Sequence, residues 1–279
     1  MIAEAILENE EPEQLRRLQR DLLDAARILG PAEVRYLVDG YYALQGYRVA
    51  AANQVRALSV GGEPSSLLVW LADQTSLLEG WIRRALLEWV EEQRPGRWAL
   101  SQKGIGPVLA AGLLAHIDIE KAPTVGHIWR FAGLDPTVVW SKGEKRPWNA
   151  RLKVICWKAG DSFVKQSGRP DAFYGALYRE RKAYELERDL AGGTAEAVEA
   201  TLASGRKLTE NQHEYYDNGK LPPGRLDLRA RRWAVKIYLA HLHHVLYVCR
   251  YDRLPPKPYV LDHVPGHAHM IEPPGWPCP

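Results

Sequence analysis

The chain has 279 residues, of which 46% are hydrophobic and 25% are charged. This length and composition exclude a disordered tail and allow one large domain or two ordinary ones, each with a real hydrophobic core. No apolar run approaches the roughly 20 residues needed to cross a bilayer, and the N-terminus is acidic where a secretory signal would be basic. We therefore expect a cytoplasmic protein that makes no membrane contact.

The formal net charge of +3 is distributed unevenly. Residues 1–100 hold 11 Lys and Arg against 15 Asp and Glu, and the rest hold 26 against 19. A basic second part indicates a polyanionic partner for that part. Cys156, Cys249 and Cys278 lie far apart without a CxxC pair, which predicts reduced thiols and neither a disulfide framework nor a cysteine zinc site.

The first hundred residues predict helices. Pro12 to Leu29 is typical of one helix, and Gly30-Pro31 breaks it and starts another. From there, apolar residues recur at spacings of three and four in two stripes separated by Gly61 to Pro64, which favours an antiparallel helical hairpin. The first stripe is Leu37, Tyr41, Leu44, Arg48, Ala51, Val55 and Leu58, and the second is Leu68, Leu71, Thr75, Leu78, Ile82, Ala85 and Trp89.

Two interpretations of this arm, residues 1–94, stay open. Each stripe lasts only about three to four heptads, so the arm is either a coiled coil or a pair of amphipathic helices packed on their own domain. The coiled coil would pair two protomers, and we expect a homodimer formed through the arm.

The remaining chain also predicts an all-α fold. Residues 95–170 form a compact helical domain, and residues 171–279 form a C-terminal helical region with a Pro-rich tail. Asp171 to Leu190 is a helix, followed by turns and short helices up to Gly224. Asp227 can cap a long helix from about Leu228 to Tyr251, after which the tail should be irregular and held only by packing.

A glycine-hydrophobic-glycine hairpin lies in the string LSQKGIGPVLAAGLLAHI, residues 100–117. Gly104 and Gly106 can take positive φ, Ile105 between them would point into the core, and the next helix would direct free N–H groups outward. Lys103 adds a positive charge. This helix-hairpin-helix pattern predicts binding to a phosphate backbone. The alternative is an ordinary corner between two helices, in which the glycines only allow the chain to turn.

Basic residues follow the hairpin immediately. Trp140, Trp148 and Trp157 are interleaved with them, and these rings are candidates for stacking on exposed bases or for burial in the core. The candidate DNA contacts in this stretch are Lys142, Lys145, Arg146, Arg151 and Lys153.

The last long helix places Arg229, Arg232, Lys236 and His243 on one face at helical spacing. Cations in a first helical turn oppose the macrodipole, so a partner outside the helix should compensate them. That partner is a DNA phosphate under our hypothesis, and acidic side chains elsewhere in the protein are the alternative.

The string from Gly104 to Pro136 resembles the C-terminal domain of the transposase family that includes the Piv-type invertases and the bridge-RNA insertion-sequence transposases. Phe131-Ala132-Gly133-Leu134-Asp135-Pro136 matches that family's "A/AGL-x-P" segment. With the helical arm before it, the resemblance covers Val34 to about Gly168.

The resemblance implies a serine nucleophile and an acidic, RNase-H-like metal nuclease domain ahead of the arm. Ser141 falls where the family's serine would lie. The first hundred residues depart from the family, because they show no strand pattern that could present paired carboxylates to magnesium. Without that domain we favour a phosphate-binding or incidental Ser141 over a nucleophilic one.

Other chemistry finds less support. In base-excision glycosylases a similar hairpin precedes a catalytic aspartate, which is Gly126 here. His263, His267 and His269 are weak metal candidates, for which surface or packing histidines are the favoured interpretation. No P-loop or Rossmann fingerprint is present, so no cofactor is implied.

Three functions therefore remain. The leading one is a non-catalytic or partner-dependent DNA-binding protein that reads shape rather than sequence, with DNA favoured over RNA. The second is an active recombinase or transposase that uses Ser141 with a separate nuclease subunit or guide RNA. The third is an assembly protein that reuses a helix-hairpin-helix fold for protein contacts.

Overall fold

The computed structural model describes residues 20, 23–61, 66–257 and 270–277, and within these ranges the regular structure is helical with no strand. The predicted all-α class is confirmed. Most of the predicted helix from Pro12 to Leu29 lies outside the described residues, although residues 20 and 23–26 are helical. No described helix combines the length and the apolar character that a membrane crossing requires.

The helices run in the following order: α1 (Pro31–Val60), α2 (Ser66–Glu91), α3 (Arg94–Ser101), α4 (Pro107–His116), a 3₁₀ turn (Ile119–Lys121), α5 (Val125–Phe131), α6 (Ala150–Gln166), α7 (Phe173–Leu190), α8 (Ala195–Ala203), α9 (Glu210–Asp217) and α10 (Pro223–Tyr251). They divide into two compact units. The first comprises the described residues up to Leu100 together with Gly106–Asp118, and the second comprises Ser101–Ile105 and the described residues from Ile119 to Pro277. The three-part division expected from the sequence stays a prediction.

In the first unit, α1 and α2 pack against each other, and α4 packs against both. The indole N–H of Trp89 near the end of α2 donates to the Leu29 carbonyl ahead of α1, at 3.0 Å. Further along α1, the Nε of Arg48 lies 2.6 Å from Oε2 of Glu79. Arg48, the one charged residue in the first stripe, is therefore accommodated by a carboxylate of the facing helix.

Helix α4 is the most deeply buried element of the first unit, because all of its residues except Pro107 and Leu109 are buried. Ala110 and Ala111 are completely inaccessible. This helix packs chiefly on α1 and α2. Small side chains suit this position since two long helices must approach the same short one.

In the second unit, α10 is the central element and contacts α5, α6 and α7. The core holds stacked rings of Phe163 and Tyr174, 5.0 Å apart, with Tyr238 of α10 against both. A Cβ on Gly160 of α6 would lie 3.1 Å from Cγ2 of Val235, so a glycine permits the close approach of α6 and α10.

The start of α10 corrects the sequence prediction. The helix begins at Pro223 and not near Leu228, because proline suits the first helical position. Asp227 is consequently inside the helix, where Oδ2 accepts from Nε of Arg231 at 2.6 Å instead of capping the helix. Arg229 and Arg232 lie beyond the first turn, so the argument from the helix macrodipole does not apply to them.

The described parts of the tail, residues 254–257 and 270–277, contain no helix. Hydrogen bonds hold the second part, which corrects the expectation of packing alone. The Ile271 carbonyl lies 2.8 Å from Nε2 of the buried His241, whose Nδ1 lies 2.8 Å from the Tyr174 hydroxyl. Burial lowers the pKa of His241 to about 4, so its ring is neutral near pH 7.

The ion pair between Arg48 and Glu79 generates a stability prediction. Glu79 is only 7% exposed, and its pKa is lowered chiefly by the Arg48 hydrogen bond. Arg48→Ala leaves the buried Glu79 carboxylate without its cationic partner. We therefore expect a loss of about 1–3 kcal/mol in the free energy of unfolding at pH 7. The double variant Arg48→Leu with Glu79→Leu should recover most of it in denaturant titrations. Equal stability of Arg48→Ala and the parent chain would contradict this account.

Candidate nucleic-acid interface

The predicted hairpin bend is a tight turn at Gln102–Ile105. The amide of Ile105 donates to the Gln102 carbonyl at 2.9 Å, and Gly104 has φ +100°, which is typical of the third position of a type II turn. Ser162 of α6 donates its hydroxyl to the Gly104 carbonyl at 2.6 Å. Glycine at 104 is therefore required by the turn and by the close approach of α6.

The other hairpin glycine behaves differently from the prediction. Gly106 has φ −88° and ψ 176°, an extended conformation that any residue adopts, and it precedes α4 as the N-cap. Lys103 and Gly106 are exposed and Gly104 is half-buried, whereas Ile105 is 3% exposed. Only Gly104 takes the positive φ that was expected for both glycines, while Ile105 is buried as predicted.

The charges around the bend are mixed. Nζ of Lys103 lies 3.2 Å from Oδ2 of Asp171, and Nε of Arg169 lies 3.5 Å from its Oδ1. The Lys103 hydrogen bond is the main reason why the pKa of Asp171 is lowered. Two cations thus share one carboxylate.

The segment between α5 and α6 carries the predicted serine and three of the predicted cations, all of them exposed: Ser141, Lys142, Lys145 and Arg146. Its rings pack on each other, with Trp140 and Trp148 edge to face at 5.9 Å. A Cβ on Gly133, which has φ +66°, would lie 2.8 Å from the Trp148 ring. The Ala-Gly-Leu segment therefore needs its glycine because Trp148 covers it.

The segment ends where Asn149 caps α6, its side-chain oxygen accepting from the Leu152 amide at 2.9 Å. Arg151, one of the predicted DNA contacts, is exposed in the first turn of α6. Lys153 is half-buried two residues later, and its Nζ lies 4.0 Å from the centroid of the Trp148 ring. Arg151 is therefore exposed, whereas Lys153 is half-buried beside the Trp148 ring.

The three predicted cations of α10 have different partners. Arg229 lies 3.6 Å from the buried Glu185 carboxylate of α7, so an acidic side chain of the protein compensates it. Nζ of Lys236 lies 4.2 Å from the centroid of the Trp129 ring. Nε of Arg232 has a 3.3 Å contact with the Leu228 carbonyl of its own helix. At Arg229 the compensating partner is therefore an acidic side chain of the protein, which was the alternative to a DNA phosphate.

An open cleft of about 330 Å³ lies between α6 and α10 and brings two of the predicted cations together. Lys153 comes from α6, and Arg232 comes from α10 with Arg225, a residue that the sequence reasoning missed. Within the described ranges, no carboxylate lies at ion-pair distance from these three residues. The fourth cation of the lining, Arg231, is neutralised by Asp227 and by Asp161, at 2.6 and 3.2 Å.

The charged forms of Lys153 and Arg232 are disfavoured by burial and by neighbouring cations. Desolvation lowers the pKa of Lys153, and the charges of Arg232 and Arg146 lower it further. Desolvation also lowers the pKa of Arg232, with Arg225 and Arg229 as further causes. A site of this kind gains from binding an anion, because the anion relieves the repulsion between the cations.

Two of the three histidines on α10, His241 and His243, have hydrogen-bond partners, whereas Nδ1 of the buried His244 has none among the described residues. Nε2 of His243 lies 2.9 Å from the Ala122 carbonyl, and burial is the largest cause of the lowered pKa of both His243 and His244. No group of three potential metal ligands occurs among the residues that the structure describes. The tail candidates His263, His267 and His269 lie outside those residues.

Residues 97–168 match the model of the IS116/IS110/IS902 transposase family. The matched region includes the bend, the Ala-Gly-Leu segment, Ser141 and all of α6. It ends at Gly168, the same boundary that the sequence resemblance gave, and it begins after the arm. Searches of curated proteins and of solved structures gave no match. About a quarter of the chain is therefore similar to a transposase domain.

The bend allows a matched pair of glycine variants. A Cβ on Gly104 would lie 3.2 Å from the Ser162 hydroxyl in a backbone with positive φ, whereas a Cβ on Gly106 would meet nothing within 4 Å. We expect Gly104→Ala to lower the free energy of unfolding by about 1–2 kcal/mol and Gly106→Ala to leave it nearly unchanged. Thermal or denaturant unfolding measures both. Equal losses in the two variants would contradict the described turn.

Proposed function

We propose that this chain is a transposase-related protein that binds DNA through the sugar-phosphate backbone, without complete catalytic machinery of its own. The observation that carries the proposal is the group of cations without carboxylate partners in the cleft, Lys153, Arg225 and Arg232. Phosphate contacts from such residues supply affinity that depends on salt and little on sequence. The family match supports the same assignment, because it includes α6, which carries Lys153.

The hairpin bend supports a second phosphate contact. Lys103 and Gly106 are exposed, and no hydrogen bond from the Gly106 amide to another described residue is present. A free amide at the start of a helix suits an anionic oxygen. We assign Lys103 and the backbone from Gly104 to Gly106, with Ile105 as the buried anchor, to this contact. Lys142, Lys145, Arg146 and Arg151 extend the basic surface, and Arg229 and Lys236 flank it.

DNA is the favoured polyanion. A second candidate function is an active recombinase or transposase, which would bind the same DNA and also cut and join its strands. Ser141 is exposed and lies inside the matched transposase region, so it is available to act as a nucleophile if a partner supplies a metal nuclease domain or guide RNA. No ion pair or hydrogen bond to the Ser141 hydroxyl occurs within the described residues, so nothing there activates it. For the chain alone we therefore propose binding without strand transfer.

We further propose that the arm pairs two copies of the chain. Large apolar side chains are exposed at the end of α1 and in the first turns of α2: Val60 is 89%, Leu67 66% and Trp70 56% exposed. Heptad-like spacing and an exposed apolar surface together are typical of helices that associate.

Loss of one cleft cation tests the DNA assignment. Arg232→Gln should weaken binding of duplex DNA severalfold and reduce the slope of log affinity against log salt by about 0.9, the loss of one phosphate contact. The matched control is Arg250→Gln, which removes the same charge from an exposed Arg that is paired with Glu120 at the other end of α10. Fluorescence anisotropy over a range of salt measures both.

Equal slopes for the two variants would contradict the assignment to the cleft, and absence of binding by the parent chain would contradict DNA binding altogether. A strand-cleavage assay in magnesium on the same samples tests the second candidate. Cleavage by the parent chain that disappears in Ser141→Ala while binding persists would replace our proposal with an active recombinase.

Removal of one exposed ring of the arm tests the pairing of two copies. We expect the parent chain to have the mass of a dimer in light scattering at micromolar concentration, and Trp70→Asp to shift it towards the monomer because a charge cannot be buried in an apolar contact. Tyr184→Asp on α7 is the control, since Tyr184 is similarly exposed, at 51%, outside the arm. A parent chain that is monomeric at all concentrations would contradict the proposal.

A further inference from the structure

The cleft between α6 and α10 has chemically distinct parts. Lys153, Arg225 and Arg232 provide positive charge, whereas Leu134, Leu228 and Val235 provide apolar walls. The Trp157 side chain belongs to the lining and is 56% exposed, so one part of its ring system is available to a ligand. The cleft is therefore amphipathic: it offers cations, aliphatic surface and an accessible aromatic ring together.

No acidic side chain is among the described residues that line the cleft. Burial raises the pKa of the Cys156 thiol to about 12, so the thiol stays neutral in the lining. The one lining cation with carboxylate partners, Arg231, is paired with Asp161 and Asp227. The remaining cations are thus free to bind an anionic group, while the neutral part of the lining suits an uncharged planar one.

This combination limits the class of ligand. A cation is disfavoured because three cations without carboxylate partners would repel it. A bare phosphate would use the cations and leave the Trp157 ring and the leucines in water. A volume of about 330 Å³ is at the lower end of the range for small-molecule sites, roughly 300–1,000 Å³. A single nucleotide joins a planar base to a phosphate at that scale and uses both parts.

We propose that this cleft holds one unstacked nucleotide of a bound nucleic acid strand, with its base against Trp157 and Leu228 and its phosphate on Lys153, Arg225 and Arg232. The proposal deepens the proposed function and rests on it, since the strand must bind first. It assigns Trp157 a binding role that differs from the packing roles of Trp140 and Trp148, whose rings contact each other. A nucleotide that is already unpaired would bind best, because it costs least to unstack.

The experiment compares three labelled duplexes of the same sequence: fully paired, with one extra unpaired adenine nucleotide, and with the same extra nucleotide lacking its base. Fluorescence anisotropy gives the affinity of the full chain for each. We expect the duplex with the unpaired adenine to bind at least about fivefold more tightly than the other two, which corresponds to the lower end of base–aromatic stacking. Free deoxyadenosine monophosphate should compete weakly with the duplex that carries the unpaired adenine. It should reduce only the extra affinity for that duplex and leave the affinity for the other two unchanged.

Variants at the ring sharpen the test. Trp157→Ala should abolish the preference for the unpaired adenine and leave the affinity for the paired duplex unchanged, while Trp157→Phe should retain most of the preference. Tyr184→Ala, at a ring on α7 that is 51% exposed, is the matched control and should behave as the parent chain does. Thermal unfolding of each variant verifies that it is folded.

The outcomes separate this inference from the proposed function. Equal binding of all three duplexes, or equal binding with and without the extra base, would overturn the nucleotide site and leave DNA binding intact. Binding of the free mononucleotide through Trp157 without any preference among the duplexes would also overturn it, in favour of a site for a free nucleotide. Failure to bind any duplex would overturn both proposals.

Discussion

The second unit depends on the close approach of α6 and α10 at Gly160. Because Gly160 has no side chain, Val235 of α10 can lie against the α6 backbone, and the aromatic core around Phe163 and Tyr238 can close beside it. The same approach determines the cleft, since its walls are the facing sides of these two helices. A larger residue at 160 would separate the helices and disturb the packing and the basic cleft together.

The charges along this interface divide into two groups. Arg231 and Lys165 both form ion pairs with Asp161, and Arg229 lies beside the buried Glu185. The pairs of Arg231 with Asp161 and of Arg229 with Glu185 join different helices, whereas the pair of Lys165 with Asp161 lies within α6. Lys153, Arg225 and Arg232 have no such partners within the described residues, and their mutual repulsion is a cost that an anion would remove. The contrast between the two groups is the basis of the functional assignment.

Sequence reasoning predicted the elements well where the pattern was long or the turn chemistry strong. The α1 stripe predicted a helix up to Leu58, and α1 ends at Val60. Gly104 was predicted to take positive φ and does so, while Gly106 does not, because the spacing of two glycines cannot say which one the turn requires. The start of α10 was misplaced because Asp227 can serve as a cap or as an ion-pair partner, and only the fold decides. The cleft itself was not predictable, since Arg225 is distant in sequence from Lys153 and no periodicity connects them.

The central claim, that the cleft cations contact DNA, is tested most directly by lysine footprinting. The Lys153 amine has a lowered pKa, chiefly through desolvation, and should therefore react well with an acylating reagent in the free protein. Labelling is measured by mass spectrometry with and without duplex DNA, and Lys207, which is exposed on the connection between α8 and α9, serves as the reference. We predict that DNA protects Lys153 at low salt, that high salt removes the protection, and that Lys207 reacts equally throughout. Equal labelling of Lys153 with and without bound DNA would contradict the account.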